Sequence, residues 1–189
     1  MTAKAEAIRQ KIISTADDLF YRQGYNHTSF SDISKAVGIS RGNFYYHFKT
    51  KDDILAAVID NRKQVIMQML QHWSELFTDP KERLNQYIDM IVGYQDNIIK
   101  YGCPVGSVCS ELIKLKNVNY TDATEMILLF RDWIIEQLEL MGYDAEKSSH
   151  HAMHILTCTQ GISLMGQAFR DVDYIRREAD ALKHWINQL

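Results

Sequence analysis

Apolar residues recur at helical spacing along almost the whole chain, and this periodicity limits the fold more than any other feature of the sequence. In the first such segment, Ile8, Ile12, Ala16, Leu19 and Phe20 fall on one face of a helix. No segment alternates polar and apolar residues as a half-buried strand does. Residues that break helices are scarce, with nine glycines and two prolines in 189 residues. The pattern predicts an all-α fold built from long helices.

Capping residues indicate where these helices begin and end. The first, over residues 5–23, is expected to end at Gly24, and the second to begin at Thr28 and end at Gly38. Ser40 can cap a third helix, and Thr50 with Asp53 resembles a capping box that opens a fourth. The apolar positions predicted for that fourth helix are Ile54, Val58, Val65, Met69, Trp73 and Leu76. This fourth helix is predicted over residues 51–77, and further helices over 80–101, 121–141, 145–169 and 174–188, with a restart near Pro104.

Charge is divided unevenly between the two parts of the chain. Residues 1–51 hold eight Lys or Arg and four Asp or Glu, a net charge of +4, whereas residues 52–189 carry a net charge of −7. A basic segment on an acidic remainder indicates an anionic partner for that segment alone. The sequence has neither a signal peptide nor the ~20 apolar residues of a membrane helix, which predicts a cytoplasmic protein without a membrane partner.

The stretch TSFSDISKAVGISRGNFYYHFKTKDDIL, residues 28–55, has the layout of a helix-turn-helix. Gly38 allows a tight turn between two short helices, and Ala36 is small enough for them to approach closely. Phe44 and Phe48 are the core candidates of the second helix. In this motif the N-terminal residues of the second helix face base edges in the major groove of DNA. Double-stranded DNA is therefore the predicted anionic partner.

Contacts to bases are expected at the start of the second helix, because Arg41 can reach a guanine edge and Asn43 can hydrogen-bond a base. Gly42 lies between them and lets the backbone come near the duplex. The remaining polar residues suit phosphates, through side-chain donors or through free N–H groups at helix starts. The predicted DNA contacts are Thr28, Arg41, Gly42, Asn43, Tyr45, His47 and Lys51.

The order of these residues resembles the DNA-binding region of the TetR family of bacterial transcriptional regulators. The resemblance rests on AVGISRGNFYYHFKTKDDIL and on IISTADDLFYRQGYNHTSFSDIS before it, over roughly residues 8–58. It implies a helix-turn-helix DNA-binding domain, residues 1–50, and a helical effector-binding and dimerisation domain, residues 51–189. It also implies that the seven positions above face DNA. Asn43 and Phe44 depart from the residues frequent at those positions in the family, which leaves the operator sequence open.

The second part of the chain offers candidates for a dimer interface. Thr157, Gly161, Leu164 and Ala168 fall on one helical face, where small residues let two helices approach closely. An intrachain helix contact would explain the same pattern, and the family resemblance implies a homodimer. Residues 174–189 are the expected other half of that interface, through Ile175, Leu182, Trp185 and Ile186.

Aromatic residues of the second part are the candidates for an effector site. Such side chains are ordinary core residues taken singly, but together they can line an apolar cavity with a few polar groups. A small, partly apolar effector is expected there. The predicted contacts are Trp73, Tyr94, Phe130 and Trp133.

Several residues of the second part also suit functions other than that of an effector-binding regulator. His150, His151 and His154 lie near one another on a helix, but no fourth ligand has a fixed spacing, so no metal and no cofactor are predicted. Cys103 and Cys109 leave open a redox- or electrophile-sensing regulator of the same fold. An enzyme using His154, Cys109 or Glu111 is a further alternative, but no nucleophile–base pair is visible. A protein-interaction module without DNA is the last alternative.

Overall fold

The computed structural model describes residues 3–189, and all regular secondary structure in that part of the chain is α-helical. The all-α prediction is confirmed. The helices are α1 (Ala3–Gln23), α2 (Phe30–Val37), α3 (Arg41–His47), α4 (Lys51–Leu76), α5 (Pro80–Gly93), α6 (Gln95–Tyr101), α7 (Pro104–Lys114), α8 (Tyr120–Leu140), α9 (Ala145–Phe169) and α10 (Val172–Gln188).

Most helix ends follow the predicted capping chemistry. Gly24 takes a left-handed conformation just beyond α1, with φ of 86°. The Thr50 hydroxyl accepts a hydrogen bond from the Asp53 N–H at 3.0 Å, while the Asp53 carboxylate accepts from the Thr50 N–H at 2.9 Å. The predicted helix over 80–101 is interrupted at Tyr94, whose φ of −96° and ψ of 4° lie outside the helical range and separate α5 from α6.

Packing groups the described residues into two compact units. The first contains the chain up to Val65 together with Ser107–Met126, and the second contains Ile66–Gly106 and Ile127–Leu189. Helices α4, α7 and α8 therefore contribute residues to both units. The functional division expected after residue 50 stays a prediction, because it concerns roles rather than packing.

Helices α1 and α4 supply part of the core of the first unit. Ile12, Ala16 and Phe20 of α1 are buried, as are Ile54 and Val58 of α4. Within each helix these residues lie four positions apart, so they share one face.

The predicted apolar pattern of α4 is wrong at two positions. Val65 and Leu76 are exposed, whereas Trp73 is buried as predicted, together with Ile66 and Leu70, which the prediction did not include. Val65 is one residue before Ile66, which places it about 100° away from the buried stripe. Leu76 is the last residue of α4, where no further helical turn covers it.

The second unit is built around α5, α6, α9 and α10, which pack against one another. Its core includes Leu84 and Ile88 of α5, Ile155 of α9 and Ile175 of α10. Gly166 is required where α9 and α10 meet, because a Cβ atom at this position would lie 2.4 Å from Ile175 Cγ1. Over the residues described, no helix has both the length and the apolar character needed to span a membrane.

Candidate nucleic-acid interface

Helix α2 begins with a reciprocal capping box. The Ser29 hydroxyl oxygen accepts a hydrogen bond from the Asp32 N–H at 3.1 Å, and the Asp32 carboxylate accepts from the Ser29 N–H at 2.9 Å. The Ser29 hydroxyl also donates to the Asp32 carboxylate, at 2.6 Å, and this bond and the one from the Ser29 N–H hold the pKa of Asp32 below its usual value, since both favour the ionised carboxylate. The prediction that Thr28 caps this helix is therefore wrong by one residue.

The turn between α2 and α3 depends on Gly38 and Ser40. Gly38 has φ of 73°, and its N–H donates to the carbonyl oxygens of Ser34 and Lys35. The Ser40 hydroxyl then accepts from the Asn43 N–H at 3.4 Å and caps α3, as the sequence predicts. The Lys11 ammonium donates to the Val37 carbonyl at 2.9 Å and ties the end of α2 to α1.

Aromatic packing holds the buried face of α3 in place. Phe44 and Phe48 are buried, which confirms them as core residues. The Phe30 ring meets Phe44 edge-on, with ring centroids 4.7 Å apart. Because one face of α3 is held in this way, the opposite face is presented to solvent in a fixed orientation.

Four of the seven predicted contacts lie on α3 outside its buried stripe. Arg41, Gly42 and Tyr45 are exposed and Asn43 is half-buried. The Arg41 guanidinium lies 5.9 Å from the centroid of the Tyr45 ring, so these two side chains share one surface. No neighbouring atom lies within 4 Å of where a Gly42 Cβ would be, so this surface is open at its centre.

His47 and Lys51 lie at the edges of this surface and are half-buried. The buried Nδ1 of His47 has no hydrogen-bond partner among the described residues. The Lys51 ammonium donates to the Tyr25 carbonyl at 2.9 Å and lies 4.0 Å from the Tyr25 ring centroid. Burial lowers the pKa of Lys51, with Asp52 and Glu111 acting in the opposite direction.

Thr28 does not belong to the exposed surface. Its relative exposure is 0%, and its hydroxyl donates to the Gly24 carbonyl at 2.8 Å. A buried and bonded hydroxyl cannot reach a phosphate, so the predicted contact of Thr28 with DNA could only involve the N–H groups at the start of α2.

A hydrogen-bond network links the turn between α1 and α2 to Asp52, Glu111 and Asn117, and the sequence does not predict it. One carboxylate oxygen of Glu111 accepts from the Tyr25 N–H and the other from the Asn26 N–H, each at 2.9 Å. The Tyr25 hydroxyl and the Asn117 amide donate to the same oxygen of Asp52, at 2.6 and 2.8 Å. The sequence indicates Glu111 only as a catalytic candidate, and 85 or 86 residues separate it from its partners, so local spacing carries no signal of this contact.

Three of the four predicted effector contacts are buried in the second unit. Trp73 and Trp133 have ring centroids 5.9 Å apart, and Phe130 lies 5.4 Å from the ring of Tyr87. The Trp133 indole N–H donates to the Ser74 hydroxyl at 3.0 Å. Tyr94 differs from these three, because it lies at the α5–α6 junction with 52% of its surface exposed.

The small-residue face of α9 lies at the surface of the chain. Thr157, Leu164 and Ala168 are exposed and Gly161 is half-buried. Three further apolar residues of α9 are exposed with them: Met153, Met165 and Phe169. Within a single chain this face is not covered, so the intrachain explanation of the small-residue pattern is wrong.

Helix α10 contributes less to this surface than its sequence indicates. Ile175, Leu182 and Ile186 are buried within the chain and cannot form an interface, because they face the core of the second unit. Trp185 is half-buried, with the rings of His151 and His154 at 5.5 and 4.7 Å.

The cysteines and histidines form packing contacts. Cys109 is buried, and its thiol donates to the Ala123 carbonyl at 3.1 Å. Cys103 is half-buried, and its sulfur accepts from the Gly106 N–H at 3.4 Å. His154 Nε2 lies 3.6 Å from the Cys158 sulfur. Across residues 3–189, no three His, Cys, Asp or Glu side chains are arranged to hold a metal ion.

Comparison with known proteins supports the helix-turn-helix, and some of the similar proteins match nearly the whole chain. The family model described as "Bacterial regulatory proteins, tetR family" matches residues 12–58. An uncharacterised HTH-type transcriptional regulator of Lactococcus lactis subsp. lactis is 29% identical over 93% of this chain and 91% of its own length. The HTH-type transcriptional repressor DhaR of Mycobacterium sp. (strain GP1) is 27% identical over 67% of this chain and 62% of its own length.

Solved structures agree with these sequence relatives. A TetR transcriptional regulator from Legionella pneumophila is 27% identical and superposes with a TM-score of 0.83, covering 100% of this chain and 97% of its own. A TetR-family regulator from Agrobacterium tumefaciens, 21% identical, shares the fold with a TM-score of 0.84 over 95% of this chain and 97% of its own. The chain belongs to the TetR family of bacterial regulatory proteins and is a transcriptional regulator whose DNA-binding element is the helix-turn-helix formed by α2 and α3.

Proposed function

We propose that the protein binds a palindromic DNA operator as a homodimer and represses transcription until a small-molecule effector lowers its affinity for that operator. The observation that carries this proposal is the exposed start of α3. Arg41 and Gly42 are open to solvent above the buried ring of Phe44. A helix fixed on one face and polar on the other suits insertion into the major groove.

Within this site the residues have different roles. Arg41 and Asn43 read base edges, since a guanidinium and a carboxamide can each form paired hydrogen bonds with a base. Gly42 lets the backbone of α3 come close to the duplex. Tyr45 and His47 contact phosphates, which fixes the position of the protein along the DNA without reading sequence. Lys51 contributes through the free N–H groups at the start of α4 and through its charge, because its ammonium is already bonded to Tyr25.

The α9 face supports the dimer. Leu164 and Phe169 are 59% and 68% exposed in the single chain, and Gly161 and Ala168 add small residues that allow close helix approach. Such a contiguous apolar face suits a two-fold contact with a second copy of α9, with Trp185 at its edge. A two-fold dimer places two copies of α3 on successive major-groove faces, about 34–36 Å apart.

The aromatic cluster of the second unit supports an effector site. Trp73, Phe130 and Trp133 supply apolar surface, and the hydroxyl groups of Tyr87 and Thr159 lie 3.3 Å apart next to Phe130. A partly apolar molecule with a hydrogen-bonding group suits this combination. Repression rather than activation is proposed because one relative, DhaR of Mycobacterium sp. (strain GP1), is named a repressor.

The test is footprinting of the purified protein on the DNA upstream of its own gene. We expect a protected segment with two-fold symmetry, and loss of protection identifies effectors in a small-molecule screen. Uniform binding to all duplexes, without a protected segment, would contradict the proposed function.

A further inference from the structure

We propose that Glu111 is a positioning residue for DNA binding, which holds the helix-turn-helix in its DNA-binding placement by clamping the turn between α1 and α2. This turn consists of residues 24–29. The inference rests on the proposed operator binding, and it does not involve a contact between Glu111 and DNA.

The clamp consists of one carboxylate and two adjacent backbone N–H groups. Glu111 accepts from Tyr25 through Oε2 and from Asn26 through Oε1, at 2.9 Å in both cases. Two parallel bonds to an ionised acceptor fix direction as well as distance, which a single bond does not. The turn is therefore held in one orientation relative to α7.

Gly24 makes this close approach possible. Its φ of 86° is left-handed, and a Cβ at this position would lie 3.1 Å from Glu111 Oε1. A side chain here would strain the backbone and press against the carboxylate at the same time. The conformation of the turn and the position of the Glu111 carboxylate are thus matched to each other.

A second set of bonds connects the same turn to the start of α4. The Tyr25 hydroxyl donates to Asp52, and the Lys51 ammonium donates to the Tyr25 carbonyl. Asn117, which follows α7, donates to the same Asp52 oxygen as Tyr25. The α1–α2 turn is therefore tied to both α4 and the α7 region within one compact unit.

The turn leads directly into the DNA-binding element. The Thr28 hydroxyl is bonded to the Gly24 carbonyl inside the turn, and Ser29 caps α2 at its end. Only residues 27–29 separate the clamped N–H groups from the start of α2, so fixing these groups restricts where α2 and α3 can lie. Such restriction favours operator binding, because less motion has to be lost when both copies of α3 enter the groove.

The experiment compares Glu111→Ala and Glu111→Gln with wild type in the full-length chain. Glu125→Ala is the matched control, since Glu125 lies in the same unit and pairs with Lys63 at 2.9 Å rather than with the turn. The probes are a duplex carrying the footprinted sequence and a scrambled duplex of equal length. Affinity is measured across a salt series, and exchange of the Tyr25 and Asn26 amide hydrogens is followed by NMR.

We expect both Glu111 variants to bind the footprinted duplex about tenfold more weakly, with faster exchange of the two amides and an unchanged salt slope. The direction of the change in DNA affinity distinguishes the two explanations. Removal of a negative charge would by long-range electrostatics alone strengthen binding to DNA, whereas loss of the clamp weakens it. Glu125→Ala should bind no more weakly than wild type.

Wild-type or tighter binding by the Glu111 variants would overturn the inference, as would a weakening shared equally by Glu125→Ala. Loss of folded helices in both Glu111 variants, seen by circular dichroism, would also overturn it, because Glu111 would then be needed for folding rather than for placement. If wild type itself fails to distinguish the two duplexes, the proposed operator binding fails instead.

Discussion

The hydroxyl group of Tyr25 lies 2.6 Å from a carboxylate oxygen of Asp52 and donates a hydrogen bond to it. This bond, with a second from Asn117, holds the pKa of Asp52 below its usual value. The pKa of Tyr25 is raised, first by burial and then by its bond to Asp52. The pair joins the turn after α1 to the first turn of α4, so it connects the helix-turn-helix to the helix that follows it.

Replacing Tyr25 with Phe tests this bond directly. The ring stays in place, but Asp52 loses one of its two donors, and a hydrogen bond to a charged group contributes about 1–3 kcal/mol. We expect the free energy of unfolding from urea titration to fall by about that amount. Tyr46→Phe is the control, since Tyr46 is 66% exposed, and it should change stability little. Equal effects of the two variants would contradict the assigned role of Tyr25.

Stability should depend on pH through Asp52. Because its pKa is lowered in the folded state, the folded chain binds fewer protons than the unfolded chain at acidic pH. The stabilisation is present above the usual carboxyl pKa of about 3.9 and is lost as the pH falls through the lowered pKa. Asp52→Asn should therefore be less stable than wild type at pH 7, with a difference that shrinks below about pH 4.

Urea titrations over a pH series measure this difference. Asp60→Asn is the control, at an exposed carboxylate of the same helix. A difference between wild type and Asp52→Asn that stays constant from pH 7 to pH 3 would show that the Asp52 charge is not stabilised by folding.

Gly38 and Gly42 should respond oppositely to alanine. Gly38 is left-handed, so Gly38→Ala should cost about 1–2 kcal/mol of stability even though no atom is near its Cβ position. Gly42 is helical and open, so Gly42→Ala should stabilise α3 by up to about 1 kcal/mol. It should nonetheless weaken operator binding, because the added methyl group blocks backbone approach to the duplex.

Thermal unfolding and operator affinity of the two glycine variants separate these effects. Destabilisation by Gly42→Ala would contradict the open helical position of Gly42, and operator affinity equal to wild type in the presence of the extra methyl group would remove it from the DNA-facing surface.

Leu164→Glu should convert the proposed dimer into monomers. In a two-fold contact each substitution occurs twice, so two carboxylates would be buried or brought together at the interface. Sedimentation velocity measures the oligomeric state. Val118→Glu is the control, since Val118 is 82% exposed and belongs to the other compact unit, and it should leave the dimer intact. A dimer that survives Leu164→Glu would contradict the α9 interface.

The sequence predicts those features that depend on neighbouring residues. Gly38, Ser40 and the Thr50–Asp53 box act within one helical turn, so their chemistry is visible in the order of residues. The shift of the α2 cap from Thr28 to Ser29 shows the limit of this approach. Both residues are good caps, and tertiary packing decides between them by burying Thr28.

Contacts between distant segments could not be predicted from the sequence. Glu111 lies on α7, and nothing in its surroundings indicates that it binds the turn after α1. The same holds for α10, where Ile175, Leu182 and Ile186 have the spacing of an exposed apolar face as well as of a core. Which of the two they form depends on α5 and α9, which pack on that helix.

The central claim is that Arg41 and Asn43 read the bases of an operator from the start of α3. The most direct test is the affinity of the Arg41→Ala, Asn43→Ala double variant for the footprinted duplex and for a scrambled one, at one fixed salt concentration. We expect circular dichroism to match wild type, binding to the footprinted duplex to weaken by about 2–6 kcal/mol, and preference over the scrambled duplex to disappear. A folded double variant that keeps wild-type affinity and preference would contradict the account.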